Sequence, residues 1–389
     1  MRIIQIGFLF IILICSCCST KEVNIESINL RDAFKESVSI KTSQLFKTAE
    51  LIPLESNDSI FIGSIKKILI NQKYIVIFDN VANKILLFDR TGNFERILAV
   101  HGKGPGEFAH IIDMNFNYDQ SEVVIFDDYN RKFISFNLEE ISWDEKDVRT
   151  QFSKFLIIGM TDTLFACQTL QALTFNSCLL GLLGATNDDN RCLISNDSLS
   201  ISDKIGFRPI KLYTSSNKIV YWDFIHNVIY KFNRSLVLES AKQITTNGDF
   251  IPMNIRAFDK VYFREYNNYN RFMNFTETPE YIYFNGVLKG GLWRPILYNK
   301  SKDLGQSIEY DKNFSPGGID DNILGLTPFW PYSITTDEEP FDILTVVAIN
   351  EYNLLNHRDT SRMIDYVKPL FKLPPSHNPI IRIYKNNEP

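Results

Sequence analysis

The sequence has few cysteines, and this scarcity limits the chemistry that it can support. Three of its six cysteines lie within the first 18 residues, and the others are Cys167, Cys178 and Cys192. Without a leader, four cysteines remain, counting Cys18, which is too few for a disulfide framework, although an exported chain could form one bond among the last three. These four show no Cys-x-x-Cys spacing and no histidine lies among them, so we expect no zinc site.

Histidines are scarce as well. The chain has five, at positions 101, 110, 226, 357 and 377, and they share no register in the repeats described below. No His-Glu-x-x-His motif and no nucleophile elbow occurs. We therefore expect no metal and no other cofactor, and the sequence names no catalytic residue.

An excess of positive charge is also missing. The 41 Lys and Arg residues are outnumbered by 46 Asp and Glu residues, which gives a net charge of -5, and the basic residues are scattered among acidic ones. A leader that carries only Arg2 would leave the mature chain at -5 - 1 = -6. This balance disfavours polyanionic partners, and we expect no nucleic-acid partner.

The main hydrophobic run is Ile3 to Ile14, which is too short for a transmembrane helix but fits the apolar region of a signal peptide. It leads into Ile14-Cys15-Ser16-Cys17, which resembles a bacterial lipobox. Cys17 has an aliphatic residue three positions before it and a small residue directly before it, whereas the neighbouring cysteines lack that small residue. We predict that Cys17 is lipidated and anchors the chain to a membrane. An ordinary cleaved signal peptide is the alternative.

Residues 18 to about 29 are polar and show no apolar periodicity, as is typical of a tether. The sequence therefore predicts three parts: a lipoprotein signal peptide over residues 1–16, a lipidated cysteine with a linker over residues 17–44, and one folded body over residues 45–389.

The body repeats a pattern of two strands joined by a polar turn. In each copy an aspartate ends the first strand, and a phenylalanine follows nine residues later. The pairs are Asp79 with Phe88, Asp127 with Phe136, and Asp223 with Phe232. The aspartates are 48 and then 96 residues apart, which is one period and two. The first strand of each copy is apolar at nearly every position, as expected for a strand covered on both faces.

A repeat of this length with short strands and no intervening helix is typical of a β-propeller blade. Three weaker copies are Thr163–Cys167 with Cys178–Leu183, Tyr281–Asn285 with Ile296–Asn299, and Ile343–Ile349 with Ile380–Tyr384. Six units over residues 45–389 allow about 57 residues each, including long connections near 184–210 and 303–340. The predicted fold is therefore an all-β, six-bladed β-propeller.

Two further elements are predicted at the ends of the body. Residues Ala49 to Leu54 form a strand before the first repeat, and we expect it to close the ring by pairing with the C-terminal strand, because closure hides strand edges. Its Pro53 fits an outer edge. One short helix is expected within the last blade, capped by Asp359 or Thr360, with apolar residues at helical spacing from Met363 to Phe371.

Four segments outside the repeat carry a resemblance to a known group. They are Leu51–Glu55, Gly63–Ile65, Gly102–Phe108 and Asn378–Lys385. On these the chain resembles the six-bladed β-propeller lipoproteins of Bacteroidetes, which are similar to NHL-repeat propellers, whereas residues 150 to 215 depart from the pattern. The resemblance implies a propeller on the outer membrane, at its periplasmic or surface face, but no common activity. Lys21-Glu22 weakly resembles the charged signal for the surface face.

Two features could be interpreted as ligand sites, but we favour a structural role for each. The loop Gly102–Phe108 lacks the ending and the following helix of a phosphate-binding loop, so we interpret it as a tight connection between blades, with Phe108 packed between sheets. The aspartates of the repeat stand where a strand meets a turn, and we expect them to cap those turns. We therefore assign a structural role to the loop and to the aspartates.

The aromatic segment Phe329–Tyr332 could offer a stacking surface to a sugar or peptide, or it could fill the end of a blade. Together with Arg131 and His226, its Trp330 forms our candidate binding rim. The leading hypothesis is a non-catalytic envelope lipoprotein whose propeller face binds a glycan, a peptide or a partner protein. The alternatives are a propeller hydrolase or lyase with a metal-assisted site in the central channel, and a scaffold subunit of an outer-membrane complex.

The anchor gives a first test. Cys17→Ala should leave the body soluble, because the residue that would carry the lipid is gone, while the wild-type chain fractionates with membranes. Mass spectrometry of the mature N-terminus measures this directly, and Cys18→Ala, which should keep the lipid, is the control. An unmodified terminus at any residue other than Cys17 would remove the anchor.

Overall fold

The structure of the protein is a computed structural model. It describes residues 25–147, 154–157, 164–167, 178–183, 191–195, 211–215, 218–224, 226–252, 265–309, 318–356 and 364–386. The predicted signal peptide, Cys17 and the pair Lys21-Glu22 lie outside these residues. Within them the chain is mostly β-strand, in six sheets of four or five strands.

The first two sheets hold the clearest copies of the repeat. The first comprises β4 (Ile65–Ile70), β5 (Tyr74–Asp79), β6 (Lys84–Asp89) and β7 (Phe94–Val100). The second comprises β8 (Ile111–Phe116), β9 (Glu122–Asp127), β10 (Lys132–Asn137) and β11 (Trp143–Asp147). Their two middle strands are buried at most positions, because sheets pack on both faces. This burial explains the continuous apolar runs in the sequence.

The third sheet is described mainly by its backbone. It comprises β12 (Lys154–Ile157), β13 (Leu164–Cys167), β14 (Cys178–Leu183) and β15 (Arg191–Ser195), paired antiparallel in that order. The predicted strands at 164–167 and 178–183 are confirmed, and Thr163 lies outside the described residues. The other five sheets are described with their side chains, and the blade prediction is supported for these five.

The fourth and fifth sheets each have an added strand. The fourth comprises β16 (Lys211–Ser215), β17 (Lys218–Asp223), β18 (Val228–Phe232) and β19 (Leu238–Thr245). The fifth comprises β20 (Arg271–Glu277), β21 (Tyr281–Val287), β22 (Trp293–Asn299) and β23 (Leu304–Ile308). Two N-terminal strands lie parallel to their outer edges: β1 (Ile25–Asn29) along β19, and β2 (Ser37–Val38) along β23.

The linker prediction over residues 17–44 is therefore wrong for residues 25–44, which we call the N-terminal strap. Leu30 and Ala33 of the strap are 0% and 2% exposed, and Phe34 stacks on Phe272 of β20 at 5.7 Å between ring centroids. A 3-10 turn follows at Thr42–Gln44. The sequence concealed the strap because only Ile28 of β1 is buried, so the strand shows no apolar periodicity.

The sixth sheet joins the two ends of the chain. It contains β24 (Ser333–Ile334), β25 (Pro340–Leu344), β26 (Ile380–Lys385) and β3 (Thr48–Pro53), in that order. Strand β3 pairs antiparallel with β26 along its whole length, from Thr48 opposite Lys385 to Pro53 opposite Ile380. The predicted closure is confirmed, with the strand bounds shifted by one residue.

One helix was predicted in the last blade, and the described residues contain one α-helix there, but it lies at a different position. The α-helix α1 spans Val346–Leu355, between β25 and β26, and Thr345 caps it by accepting a hydrogen bond from the Ala348 amide at 3.1 Å. The predicted strand Ile343–Ile349 is therefore a strand only to Leu344. The β-branched residues of this segment predicted a strand, but after Leu344 the chain forms a helix cap and then the first turn of α1.

Residues 364–371, the described part of the predicted helix from Met363 to Phe371, form no α-helix. Residues 357–363 lie outside the described residues, and Lys368–Lys372 form a short 3-10 helix with a proline near its start. Proline at that position cannot continue an α-helix from preceding residues, because it lacks the amide hydrogen. The described residues contain two other 3-10 segments, at Thr42–Gln44 and Glu265–Asn268.

Apolar clusters fill the spaces between neighbouring sheets. One joins the first and second sheets through Phe78, Phe108 and Met114, and another joins the sixth and first sheets through Ile383 and Ile77. A third joins the strap to the fourth and fifth sheets. Burial between sheets is the main driving force, since each side chain of this size contributes about 1.5–3 kcal/mol when buried. The sheets are therefore stacked as blades, and the fold is an all-β propeller with one α-helix in the part of the chain that the structure describes.

The first strands of successive sheets lie side by side. Strand β4 contacts β8, β8 contacts β12, β12 contacts β16, β16 contacts β20, and β20 contacts β24. Between the last sheet and the first, the Thr336 amide donates to the Ile70 carbonyl at 2.9 Å, and the Tyr332 hydroxyl donates to the Lys66 carbonyl at 3.2 Å. These first strands surround the axis on which the candidate site lies.

A buried arginine holds the closing sheet together. Arg382 on β26 is 0% exposed and donates to Asp342 of β25 and, at 2.7 Å, to Asp321. It also donates to the carbonyls of Thr327 and Pro328. Burial acts to raise the pKa of Asp342 and outweighs the opposing attraction of Arg382. One side chain thus fixes β25, β26 and the segment before β24.

This network gives a stability prediction. Arg382→Met should lower the free energy of unfolding by about 3–5 kcal/mol, because it leaves two carboxylates buried without their cation. Arg90→Met is the matched control: Arg90 pairs with Glu50 in a partly exposed site, and its loss should cost about 1 kcal/mol or less. Urea unfolding of both variants measures the difference, and equal losses would contradict the role assigned to Arg382.

Candidate functional site

A cavity of about 1060 Å³ lies on the propeller axis. The first strands of five sheets, β4, β8, β16, β20 and β24, contribute lining residues, and the segment before β24 and the start of α1 add others. A concave space of this size, with a few polar groups converging on it, is the usual form of a ligand site.

Aromatic rings and neutral polar groups make up much of the wall. The aromatic lining residues are Phe116, Tyr118, Tyr213, Trp293, Trp330 and Tyr332. The amide and hydroxyl lining residues include Asn115, Asn117, Gln120, Asn274, Asn285, Thr214, Ser215, Thr327, Ser333, Thr335, Thr336 and Thr345. Rings give contact area at a small cost in conformational entropy, and amides and hydroxyls can both donate and accept. Such a wall suits a ligand with many hydroxyl or amide groups.

Trp330 is fixed in the wall. Its indole Nε1 donates to Asn285 Oδ1 at 2.6 Å, and its ring lies edge-on to Tyr283 at 5.5 Å. The side chain is only 4% exposed, so it shapes the cavity more than it presents a face to it. Tyr118 and Tyr332, each 43% exposed, present more ring surface.

A buried carboxylate supports one side of the cavity. Glu277, at the end of β20, is 1% exposed and accepts a hydrogen bond from the Tyr213 hydroxyl at 2.8 Å. It also forms ion pairs with Lys231 at 2.5 Å and Lys300 at 2.6 Å. Burial acts to raise the pKa of Glu277, but the two lysines outweigh it and the net shift is downward. The cluster therefore joins the fourth and fifth sheets as a charged, fully partnered group.

The Tyr213 hydroxyl remains protonated in this setting. Burial, together with the adjacent Glu277 carboxylate, raises the pKa of Tyr213 well above its usual value. A phenol with a raised pKa is a poor general base at neutral pH. Tyr213 is thus a hydrogen-bonding and positioning group of the wall.

A second ion pair joins the first and second sheets. Lys67 of β4 bonds Asp113 of β8 at 2.5 Å, and Asn115 completes the group by donating to the same carboxylate at 3.2 Å. Asp113 is 3% exposed, so the pair is largely removed from solvent. The charge of Lys67 is therefore balanced within the wall.

Arg234 and Tyr118 form a further contact at the cavity. The Arg234 guanidinium lies over the Tyr118 ring, 4.9 Å from its centroid. This cation–π contact is worth about 0.5–1 kcal/mol at a partly exposed site. It brings the turn after β18 against the turn after β8.

The candidate rim predicted from the sequence is not a single surface. Trp330 lines the cavity, whereas Arg131 and His226 are not among its lining residues. Arg131 is exposed in the turn between β9 and β10, and His226 is in the equivalent turn between β17 and β18, where its Nδ1 bonds Asp223. The structure thus places two of the three residues in turns.

The turn position of Arg131 has a demanding backbone. Its φ is +53°, and the equivalent residues of the first and fourth sheets, Asn83 and Asn227, have φ of +51° and +59°. Asparagine tolerates this left-handed conformation better than other non-glycine residues. Arginine at this position therefore carries backbone strain that the asparagines do not.

The repeat aspartates cap these turns as predicted. Asp79 accepts from the amides of Val81 and Ala82 in its turn, and also from Gly63 at 2.7 Å and Ser64 at 3.1 Å in the incoming connection. Asp127 does the same in the second sheet, and Asp223 caps the turn through the His226 amide. All three are at most 1% exposed.

The interpretation of Gly102–Phe108 as a structural connection is also confirmed. Phe108 is 1% exposed and lies edge-on to Phe78 at 5.8 Å, between the first and second sheets. Gly106 has a φ of +72°, a conformation that favours glycine. Glu107 accepts from the Gly104 amide at 2.7 Å.

The residues missed by the sequence analysis belong mostly to first strands. These strands lie outside the two-strand repeat and are short, so the period did not mark them. Their signal was a polar or aromatic residue at alternate positions, as in Asp113 and Asn115 or in Lys211 and Tyr213. That alternation is typical of a strand with one face on a channel.

The described residues can be compared with the requirements of a metal site, a membrane span and a disulfide. No group of three or more His, Cys, Asp or Glu residues is arranged to hold a metal among them. None of the described helices is long and apolar enough to cross a membrane. Cys192 is disulfide-bonded, and the side chains of the other cysteines lie outside the described residues.

Residues 25–385 match the family described as domain of unknown function DUF4934. The chain belongs to this family. Its matched range begins at β1, so the N-terminal strap is part of the family's domain and not a preceding linker. No functionally curated protein matches the chain.

Several solved structures are similar to the chain. A protein of Bacteroides fragilis, provisionally assigned as exported, is 14% identical, with 94% of this chain and 100% of that chain covered and a TM-score of 0.69. A member of the DUF4221 family from Bacteroides vulgatus is 10% identical, covering 68% and 84% of the two chains, with a TM-score of 0.45. Streptogramin B lyase is 10% identical, covering 75% and 94%, with a TM-score of 0.39. Only the first likeness is close enough to support the propeller fold.

The strained turn gives a prediction. Arg131→Asn should raise the free energy of unfolding by about 0.5–1 kcal/mol, because asparagine adopts the left-handed conformation at lower cost. Thermal unfolding measures the change. Asn83→Arg, which places arginine in the equivalent turn, should lower stability by a similar amount. A loss of stability in Arg131→Asn would mean that the arginine side chain makes a compensating contact.

Proposed function

We propose that this protein is a ligand-binding propeller of the cell envelope, with its ligand in the axial cavity. The observation that carries the proposal is the wall itself. Two exposed rings, Tyr118 and Tyr332, stand among amide and hydroxyl groups to which the first strands of four sheets, β8, β16, β20 and β24, contribute. A glycan or a peptide has the hydroxyl and amide groups that such a wall would bond.

Two buried carboxylates behind the cavity wall fit a structural role better than a catalytic one. The buried Glu277 is engaged by two lysines and a tyrosine, and Asp113 is engaged by Lys67. A general acid or base needs a group that can exchange a proton near neutral pH. The two lysines instead keep Glu277 ionised by lowering its pKa, and Asp113 is bound in an ion pair between sheets, so both carboxylates stabilise the wall.

We also propose that the third sheet is a blade and that the ring has six. The support is the succession of neighbouring first strands, in which β12 lies between β8 and β16. Strand β12 is the first of four antiparallel strands, as β4 and β8 are in their sheets. Without it, a gap one sheet wide would separate the second and fourth sheets.

The location is proposed from the N-terminal sequence. The apolar run, the lipobox-like segment and Cys17 predict export and an outer-membrane lipid anchor. The disulfide at Cys192 supports an oxidising compartment, since such bonds persist in the envelope and are rare in the cytosol. Ring-borne loops on an anchored body would then be available to ligands.

Binding at the cavity can be tested with ring variants. Tyr118→Ala and Tyr332→Ala should each weaken a ligand found on glycan and peptide arrays by about 2- to 10-fold, because each removes a stacking face. Tyr129→Ala is the matched control, since Tyr129 is 78% exposed and does not line the cavity. Isothermal titration measures the affinities.

Two results would count against the proposal. One is a Tyr129→Ala variant that loses as much affinity as the cavity variants, since the ligand would then bind elsewhere. The other is turnover of a glycoside, ester or lactone by the purified chain that is abolished by a chelator. That result would favour the alternative of a metal-assisted propeller enzyme.

A further inference from the structure

The two ends of the cavity can be told apart by the direction of the first strands. Where β4 begins, the Lys66 ammonium reaches the Ile111 carbonyl at the start of β8, at 3.4 Å. Where β4 ends, Asn71 donates to the carbonyl of Gln120, after the end of β8. Strands β24 and β4 are aligned in the same way by the two hydrogen bonds of Tyr332 and Thr336 described above. We call the end where these strands begin the entry end, and the other the exit end.

The charges of the lining residues are divided between these ends. Lys66 and Lys211 lie within the first two residues of β4 and β16, at the entry end. Asp337 and Glu338 lie in the turn after β24, at the exit end. Arg234 is also at the exit end, stacked on Tyr118. Asp342 of β25 also lines the cavity, near Tyr332, but it is bound to the buried Arg382. The cavity therefore has two lysines at its entry end and charges of both signs at its exit end.

The ammonium of Lys66 is available to a ligand, unlike that of Lys67. Neighbouring Lys67 is neutralised by Asp113, but no described carboxylate forms an ion pair with Lys66. Its ammonium has the Ile111 carbonyl at 3.4 Å, the long limit of a hydrogen bond, and lies 5.6 Å from the centre of the Phe78 ring. The residue is exposed and lines the cavity. An ammonium in this state retains two donors for a ligand.

An exposed aromatic ring stands beside this cation. The Tyr332 hydroxyl donates to the Lys66 carbonyl, which fixes the ring next to the start of β4. The ring is 43% exposed and lines the same cavity. A ring face beside an ammonium matches a pyranose that carries an anionic group, because the sugar face packs on the ring while the anion accepts from the ammonium.

We propose that the entry end binds an anionic saccharide, with its carboxylate or sulfate on Lys66 and its ring on Tyr332. This inference rests on the proposed function, since it names the ligand class of the same cavity. The carboxylates at the exit end repel the anion and so favour one direction of entry. The net charge of -5 opposes association at long range, but contact strength depends on the local pair in a partly enclosed site.

The test compares saccharides that differ in charge. The probes are oligogalacturonate, which carries carboxylates, a chondroitin sulfate oligosaccharide, which carries sulfates as well, and a neutral malto-oligosaccharide of similar length. Binding to the full chain is measured by isothermal titration at two salt concentrations. We expect the charged saccharides to bind at least 10-fold more tightly than the neutral one, and more weakly at high salt. The ratio between the two charged probes identifies the preferred anion.

Variants locate the contact. Lys66→Ala should reduce affinity for the charged saccharides about 10-fold or more, because a charge-assisted hydrogen bond is lost, while Lys66→Arg should retain most of it. Lys73→Ala is the control, since Lys73 is exposed and pairs with Glu139 outside the cavity lining. Circular dichroism shows whether each variant is folded.

The outcomes separate the two proposals. A neutral saccharide that binds as tightly as the charged ones, and that depends on Tyr332 but not on Lys66, would overturn the anionic ligand and keep the binding cavity. Charged saccharides that bind equally to wild-type and Lys66→Ala would also overturn the site. Failure of every probe, with array ligands unaffected by the tyrosine variants, would overturn both proposals.

Discussion

The structure depends on the closure of the ring by β3 and β26. The pair joins residues that are more than 300 positions apart, and it is held by backbone hydrogen bonds and by the buried Arg382 behind them. Closure places the sixth sheet against the first, so that β24 and β4 lie side by side at the axis. The cavity depends on this junction, which fixes the two ends of the array. A change in β26 would therefore shift the positions of Tyr332 and Lys66.

The sequence could predict features that one residue type must provide at a fixed spacing. Asp79, Asp127 and Asp223 revealed the repeat because only a short carboxylate can accept amide hydrogens from a turn and from the incoming connection together. Continuous apolar runs identified the middle strands because both faces are buried. The closing strand was predictable because a ring must hide its edges.

Other features depend on long-range contacts that leave little local pattern. The strap was missed because β1 buries one residue in five, and α1 was misplaced because its β-branched start resembles a strand. At the site, Trp330 and Tyr332 both lie in the aromatic segment that the sequence analysis singled out, but Lys66 and Tyr118 become their neighbours at a cavity only when separate sheets meet. A single sequence contains no period that links the start of β4 to the start of β24.

The N-terminal strap reverses the usual order in which a chain can complete its structure. Its strands β1 and β2, and the strand β3 that follows it, leave the ribosome first, yet their partners β19, β23 and β26 are made progressively later. Each pairing therefore waits until the later strand has been made, and the pairing of β3 waits for the last residues; such non-local pairing slows folding. A chain cut short before residue 380 would lack the strand that β3 needs. Completion of the fold therefore requires an intact C-terminal strand.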